Sequence, residues 1–115
     1  MLRIITEHLA DTAILRCYGR IVAGTEAESF KDTVACEANK RLVMVDLAGV
    51  TAIDARGLGV LVFLQTLGYA LGFALELANP TRRVWEVLDL TRLTSVLEIS
   101  HTEAKEKDLS GHAAA

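Results

Sequence analysis

Val43-Met-Val-Asp-Leu-Ala-Gly-Val-Thr-Ala-Ile-Asp-Ala-Arg-Gly-Leu-Gly59 is the stretch on which the reading of this chain turns. It opens as a run of branched apolar residues, the pattern of a strand buried on both faces. Gly49 then reads as a turn, so the strand is placed at Leu42 to Leu47. Asp54 precedes a very apolar segment and reads as the N-cap of a helix that runs to about Leu71. Its carboxylate can accept hydrogen bonds from the unpaired amides two or three residues on. Gly57 and Gly59 remove side-chain bulk from the first turn, so another backbone or a partner surface can approach. The helix start is expected to be an exposed, polar, anion-friendly corner, and any functional site is expected there.

On the N-terminal side, residues 2 to 7 and 13 to 18 read as two strands, with Asp11-Thr12 suited to the turn of an antiparallel hairpin. Gly19 ends the second strand, and Gly19-Arg20 opens a loop. Gly24-Thr25 opens a helix in which Thr25 and Glu28 form a capping box. Ala27, Phe30, Val34 and Ala38 give it one apolar stripe, while Glu26, Lys31, Asp32, Glu37 and Lys40 lie off it.

On the C-terminal side, Phe73 to Ala78 alternates as a strand. Asn79 then caps a third helix with Pro80 at its first position. Val84, Val87, Leu88 and Thr91 form the inner stripe of that helix, with Trp85 at its flank. Ser95 to Ile99 is a short last strand. Residues 1–100 thus make one domain, and 101–115 are a polar tail that could form a frayed helix. Alternating strands and helices imply right-handed crossovers. The expected fold is α/β: a mixed, mostly parallel sheet of four or five strands, an N-terminal antiparallel hairpin and three to four helices.

Bulk properties narrow the function classes. A net charge of −3 supplies no basic footprint for nucleic acid or an anionic membrane. Cys17 and Cys36 lack metal or redox spacing and read as small apolar fillers in a reducing cytosol, which points to a cytoplasmic protein. Arg3 and Glu7 interrupt the first eight residues, so no signal peptide is expected. Gly57 to Leu75 carries no charge and is long enough to imitate a membrane span. The two-residue alternation of Phe73, Leu75 and Leu77 with Ala74, Glu76 and Ala78 argues instead for a buried helix, a glycine turn and a strand. No direct membrane insertion is expected.

No constellation for catalysis stands out. His8, His101 and His112 have no second ligand at metal spacing. Gly57-Leu-Gly59 lacks the third glycine of a dinucleotide fingerprint, since Val62 stands there, and no P-loop is present. Asp46 and Asp54 have no base, nucleophile or metal beside them and read as caps and turn anchors. The expectation is no enzyme activity, no metal and no cofactor.

The central stretch resembles a known family. Asp46-Leu-x-Gly-Val-Thr-x-Ile-Asp-x-x-Gly-Leu-Gly-Val60 is similar to the central motif of STAS domains, the anti-sigma factor antagonists of bacteria and their relatives in sulfate transporters. Asn79-Pro-x-x-Arg-Val-x-x-Val-Leu-x-Leu-Thr-x-Leu93 is a second match. The resemblance implies helices packed mainly against one sheet face and a protein that docks an anti-sigma factor of serine-kinase type, or another regulatory protein. In the regulated antagonists the residue after the motif aspartate is the Ser or Thr that the kinase phosphorylates. Here it is Ala55, so the usual acceptor is missing. Thr51 and Thr91 are the alternative hydroxyls, although threonines are ordinary at a strand end and in a helix.

The partner-binding surface is accordingly expected at Asp54, Ala55, Arg56, Gly57, Leu58 and Gly59, supported by Gly19 and Arg20. Arg56 is a cation in a helix first turn, where the dipole disfavours it, which suggests retention for a contact. A homodimer is an open option, as is a role as a transporter subunit or signalling scaffold.

Overall fold

The computed structural model describes residues 1–100. Strands β1 (Leu2–Leu9) and β2 (Thr12–Ile21) precede helix α1 (Thr25–Ala35). Next come β3 (Leu42–Ile53), α2 (Ala55–Leu71), β4 (Ala74–Ala78), α3 (Arg82–Leu90), a 3-10 turn at Leu93–Ser95 and β5 (Glu98–Ser100). The five strands lie in one sheet in chain order, β1-β2-β3-β4-β5. The first pair is antiparallel and the others are parallel. The expected class and the opening hairpin are both present. The tail from 101 lies outside the described residues.

Alternation decides which sheet face is covered. Ala13, Leu15 and Cys17 of β2, with Val43, Val45 and Leu47 of β3, are buried and share one cluster with Phe30, Val34, Leu61, Leu64, Val84 and Leu88 from the three helices. Ile14, Arg16, Met44 and Asp46 point to the other, more open face. The charge-free stretch from Gly57 resolves into a helix, a left-handed Gly72 cap and a strand. Among the described residues no helix is long and apolar enough to cross a membrane.

Five local expectations are corrected. Gly49 is no turn: β3 continues to Ile53 beside β2, which likewise runs past Gly19 to Ile21. Register shifts between Arg16 and Tyr18 and between Gly19 and Arg20 carry the pairing onward. Glycine is needed at 49 because a Cβ there would meet the Tyr18 ring at 2.5 Å. Gly19, at φ 116, lies against the Met1 carbonyl, where a Cβ would come within 2.0 Å. It is a strand position, not a loop opening.

The third helix is capped by Thr81, whose hydroxyl accepts from the Val84 amide at 3.2 Å and donates to the Val50 carbonyl at 3.2 Å. Asn79 instead sits at φ 54 and gives its amide to the Ser100 carbonyl. The Thr25–Glu28 capping box does not form either. Gly24 is the N-cap without a side-chain bond, and backbone bonds from Ala27 to Val22 and from Glu28 to Gly24 close the first turn. Finally, Cys36 is exposed, while Cys17 is buried as expected.

Candidate functional site

The corner at the start of α2 is built around Asp54. Its extended backbone ends β3, and one carboxylate oxygen accepts from the Gly57 amide at 2.9 Å, as an N-cap should. The other oxygen accepts from the Ala23 amide at 2.9 Å, in the loop that leads into α1. One side chain thus fastens the openings of two helices to each other. Those amide bonds, the Ala23 one foremost, hold the Asp54 carboxyl below its usual range, because they favour the charged form.

Gly57 lets the helix sit close to the strand ends. A Cβ there would lie 2.2 Å from the Ile21 carbonyl oxygen, which also accepts from the Asp54 amide at 3.4 Å. Leu58 is buried beneath the same turn. Gly59 differs: it is exposed and nothing lies within 4 Å of where its Cβ would be. Ala55 and Arg56 are exposed as well.

Arg56 is not a free cation. It donates to Glu28 at 3.0 Å, and Lys31 approaches the same carboxylate at 3.5 Å. The Arg56 bond, followed by the Lys31 charge, lowers the Glu28 pKa. Lys31 also lies 5.7 Å above the centroid of Phe63, an aromatic that is 49% exposed on α2. Glu28, Lys31 and Phe63 therefore extend the corner along the groove between α1 and α2, and sequence reasoning missed them. The signal was present in Glu28, assigned to a capping box that the Gly24 backbone makes unnecessary.

Gly19 and Arg20 reach the vicinity through the end of β2. The Gly19 carbonyl accepts from the Thr51 hydroxyl at 3.2 Å. Thr91 turns its hydroxyl back onto the Val87 and Leu88 carbonyls. Asp46 accepts from the Ala48 amide at 2.9 Å, away from Asp54. Cys17 is packed in the core, where burial pushes its thiol up to about 12. Among the described residues no group of His, Cys, Asp or Glu could hold a metal ion.

The described residues form an α/β domain with helices on one sheet face and a distinctive corner built from caps and exposed side chains. More specifically, the chain belongs to the STAS domain family, whose model matches residues 3–106. Among solved structures, it is similar to protein TM1081 of Thermotoga maritima, described as a candidate anti-sigma factor antagonist. Identity is 28%, coverage is 90% of this chain and 92% of that one, and the TM-score is 0.76. The unphosphorylated anti-sigma factor antagonist SpoIIAA, a Bacillus protein, shares the fold at 16% identity, covering 95% and 97% of the two chains with a TM-score of 0.71. A sulfate transporter family protein of Wolinella succinogenes does so at 20% identity, covering 83% and 81%, also with a TM-score of 0.71. A comparison with curated proteins finds no match.

Proposed function

We propose that the chain is a regulatory binding module of anti-sigma factor antagonist type, which docks a serine-kinase anti-sigma factor in the cytoplasm and so releases a sigma factor. The observation that carries this reading is the Asp54 corner within a STAS domain: an anchored helix start flanked by exposed Ala55, Arg56 and Gly59. The likeness to the Thermotoga protein supports it. The module acts by contact and performs no turnover.

Ala55 stands where the resemblance implies a phospho-acceptor. A phosphate would add nearly two negative charges at the docking corner. Without a hydroxyl there, this chain is binding-competent at all times, or is regulated elsewhere. Thr51 is the nearby alternative, though its hydroxyl is already donated to Gly19.

The test is phosphate incorporation by mass spectrometry with the kinase-type anti-sigma factor of the same genome. Ala55→Ser is expected to fold, since Ser is comfortable at a helix start, and to be phosphorylated where the wild type is not. Ala55→Asp is expected to weaken the complex. Phosphate on wild-type Thr51 would show a relocated switch. An Ala55→Ser protein left silent by an active kinase would favour the second reading, a subunit of a membrane transporter or a scaffold. Exposed Phe63 on the charge-poor α2 suits such permanent assembly.

A further inference from the structure

Among the described residues, β1 is the outermost strand of the sheet and pairs only with β2. Edge strands invite pairing with another chain, and proteins commonly blunt them with Pro, Lys, bulges or short length. β1 has none of these: it is eight residues long, holds no Pro or Lys, and keeps one register throughout.

The backbone of this edge has a defined polarity. In an antiparallel pair, residues alternate between exchanging hydrogen bonds with the partner and pointing those groups away. The Arg20 amide donates to the Met1 carbonyl at 3.2 Å, so in this register the odd residues of β1 bond to β2. The amides and carbonyls of Leu2, Ile4, Thr6 and His8 therefore face outward. A strand added antiparallel must match even residues with even residues.

That requirement leaves few registers, and the side chains select among them. With a two-fold axis through Ile5, the bonded pairs are Leu2 with His8 and Ile4 with Thr6. The intervening pairs are Ile5 with Ile5, Arg3 with Glu7, and Met1 with Leu9. Sliding by one even step sets Arg3 against Leu9 and Ile5 against Glu7, wasting both charges. Arg3, Ile5, Glu7 and Leu9 all lie on the open face, where Arg3 covers the Tyr18 ring at 5.2 Å and Glu7 takes Arg16. Ile5 is 46% and Leu9 56% exposed. In non-bonded pairs the side chains come closest, so the apolar contact and both ion pairs fall where they act most strongly.

We infer that the outer edge of β1 is a self-recognition surface, pairing antiparallel with β1 of a second copy about an axis at Ile5. The product joins the five described strands of each copy into one continuous ten-stranded sheet. Both α1 helices lie on the same side, because the axis is normal to the sheet. An edge contact of this length is small beside the roughly 1,600 Å² of a standard interface, so the dimer is reversible and depends on concentration.

Sedimentation of the full chain across about two decades of concentration tests this. The wild type is expected to shift from monomer to dimer. Arg3→Glu alone and Glu7→Lys alone are each expected to stay monomeric, since both ends of either homodimer then carry like charges. Mixing the two variants restores the dimer, because acid meets base at both ends. Thr6→Pro removes an outward amide while sparing the bonds to β2, and is expected to abolish the dimer without unfolding the chain. Hydrogen exchange on the wild type needs no variant: protection at Ile4, Thr6 and His8 is expected to rise about tenfold or more with concentration, with Ile5 and Glu7 unchanged. A wild type that remains monomeric, a Thr6→Pro protein that still dimerises, or a mixture that fails to pair while the wild type does would each overturn the inference.

Discussion

The Arg56 guanidinium donates to the Glu28 carboxylate at 3.0 Å and joins the first turn of α2 to that of α1. Arg56 opposes the dipole of its own helix, and Glu28 complements that of α1, so the pair offsets one unfavourable placement with a favourable one. The two side chains are 58% and 50% exposed, which limits what the bridge contributes to the fold.

Arg56→Glu should therefore fold like the wild type while losing partner affinity by more than about twofold in calorimetric titration. A folded variant that binds the proposed anti-sigma factor partner with unchanged affinity would place the docking surface elsewhere.

Two glycines on one helix should respond in opposite directions. Gly59→Ala adds a methyl in open space and removes a helix-weakening residue, which should stabilise by about 0.5–1 kcal/mol. Gly57→Ala drives its Cβ toward the Ile21 carbonyl and Ile53, and should destabilise by about 1–3 kcal/mol. Denaturant melts of the two variants beside the wild type give the signs. Equal shifts would show that the α2–β2 approach is not tight.

Acid titration isolates the Asp54 anchor. Its folded pKa is depressed by the Ala23 and Gly57 amides, so its contribution is fully present above the unfolded value of about 3.9 and fades as pH falls through the lower folded value. Asp54→Asn should melt below the wild type at neutral pH, and the gap should close only under strongly acidic conditions. A gap independent of pH would mean that the charge of this cap is not involved.

The two thiols should separate cleanly under a thiol reagent. Cys36 is exposed and should react in the native protein. Cys17, raised to about 12 by burial and then by the Asp46 charge, should react only after unfolding. Counting modified thiols with and without denaturant checks this, and two fast thiols in native protein would contradict the buried position.

Periodicity made the element order legible, because Phe30, Val34, Val43, Val45, Leu75 and Leu77 sit at spacings that one helix face or one strand face requires. It also made Asp54 legible as a cap, since that bond is local. What escaped were matters settled between distant segments. Gly49 looks like a turn until the Tyr18 ring is placed against it. Asn79 looks like a cap until its amide is engaged by Ser100. The Ala23 bond to Asp54 leaves no trace in residue type, because a backbone amide makes it.

The strands stand in space in the order in which they occur in the chain. No later strand has to be inserted between two already joined, so each new segment docks onto the one just completed. Loop closures stay short, and the entropy they cost grows little as the chain lengthens. A chain emerging from the ribosome can add β3, β4 and β5 in succession without reopening a finished seam. Among the described residues, growth in that single direction always exposes a fresh edge ahead and leaves the first strand behind it with one side unclaimed.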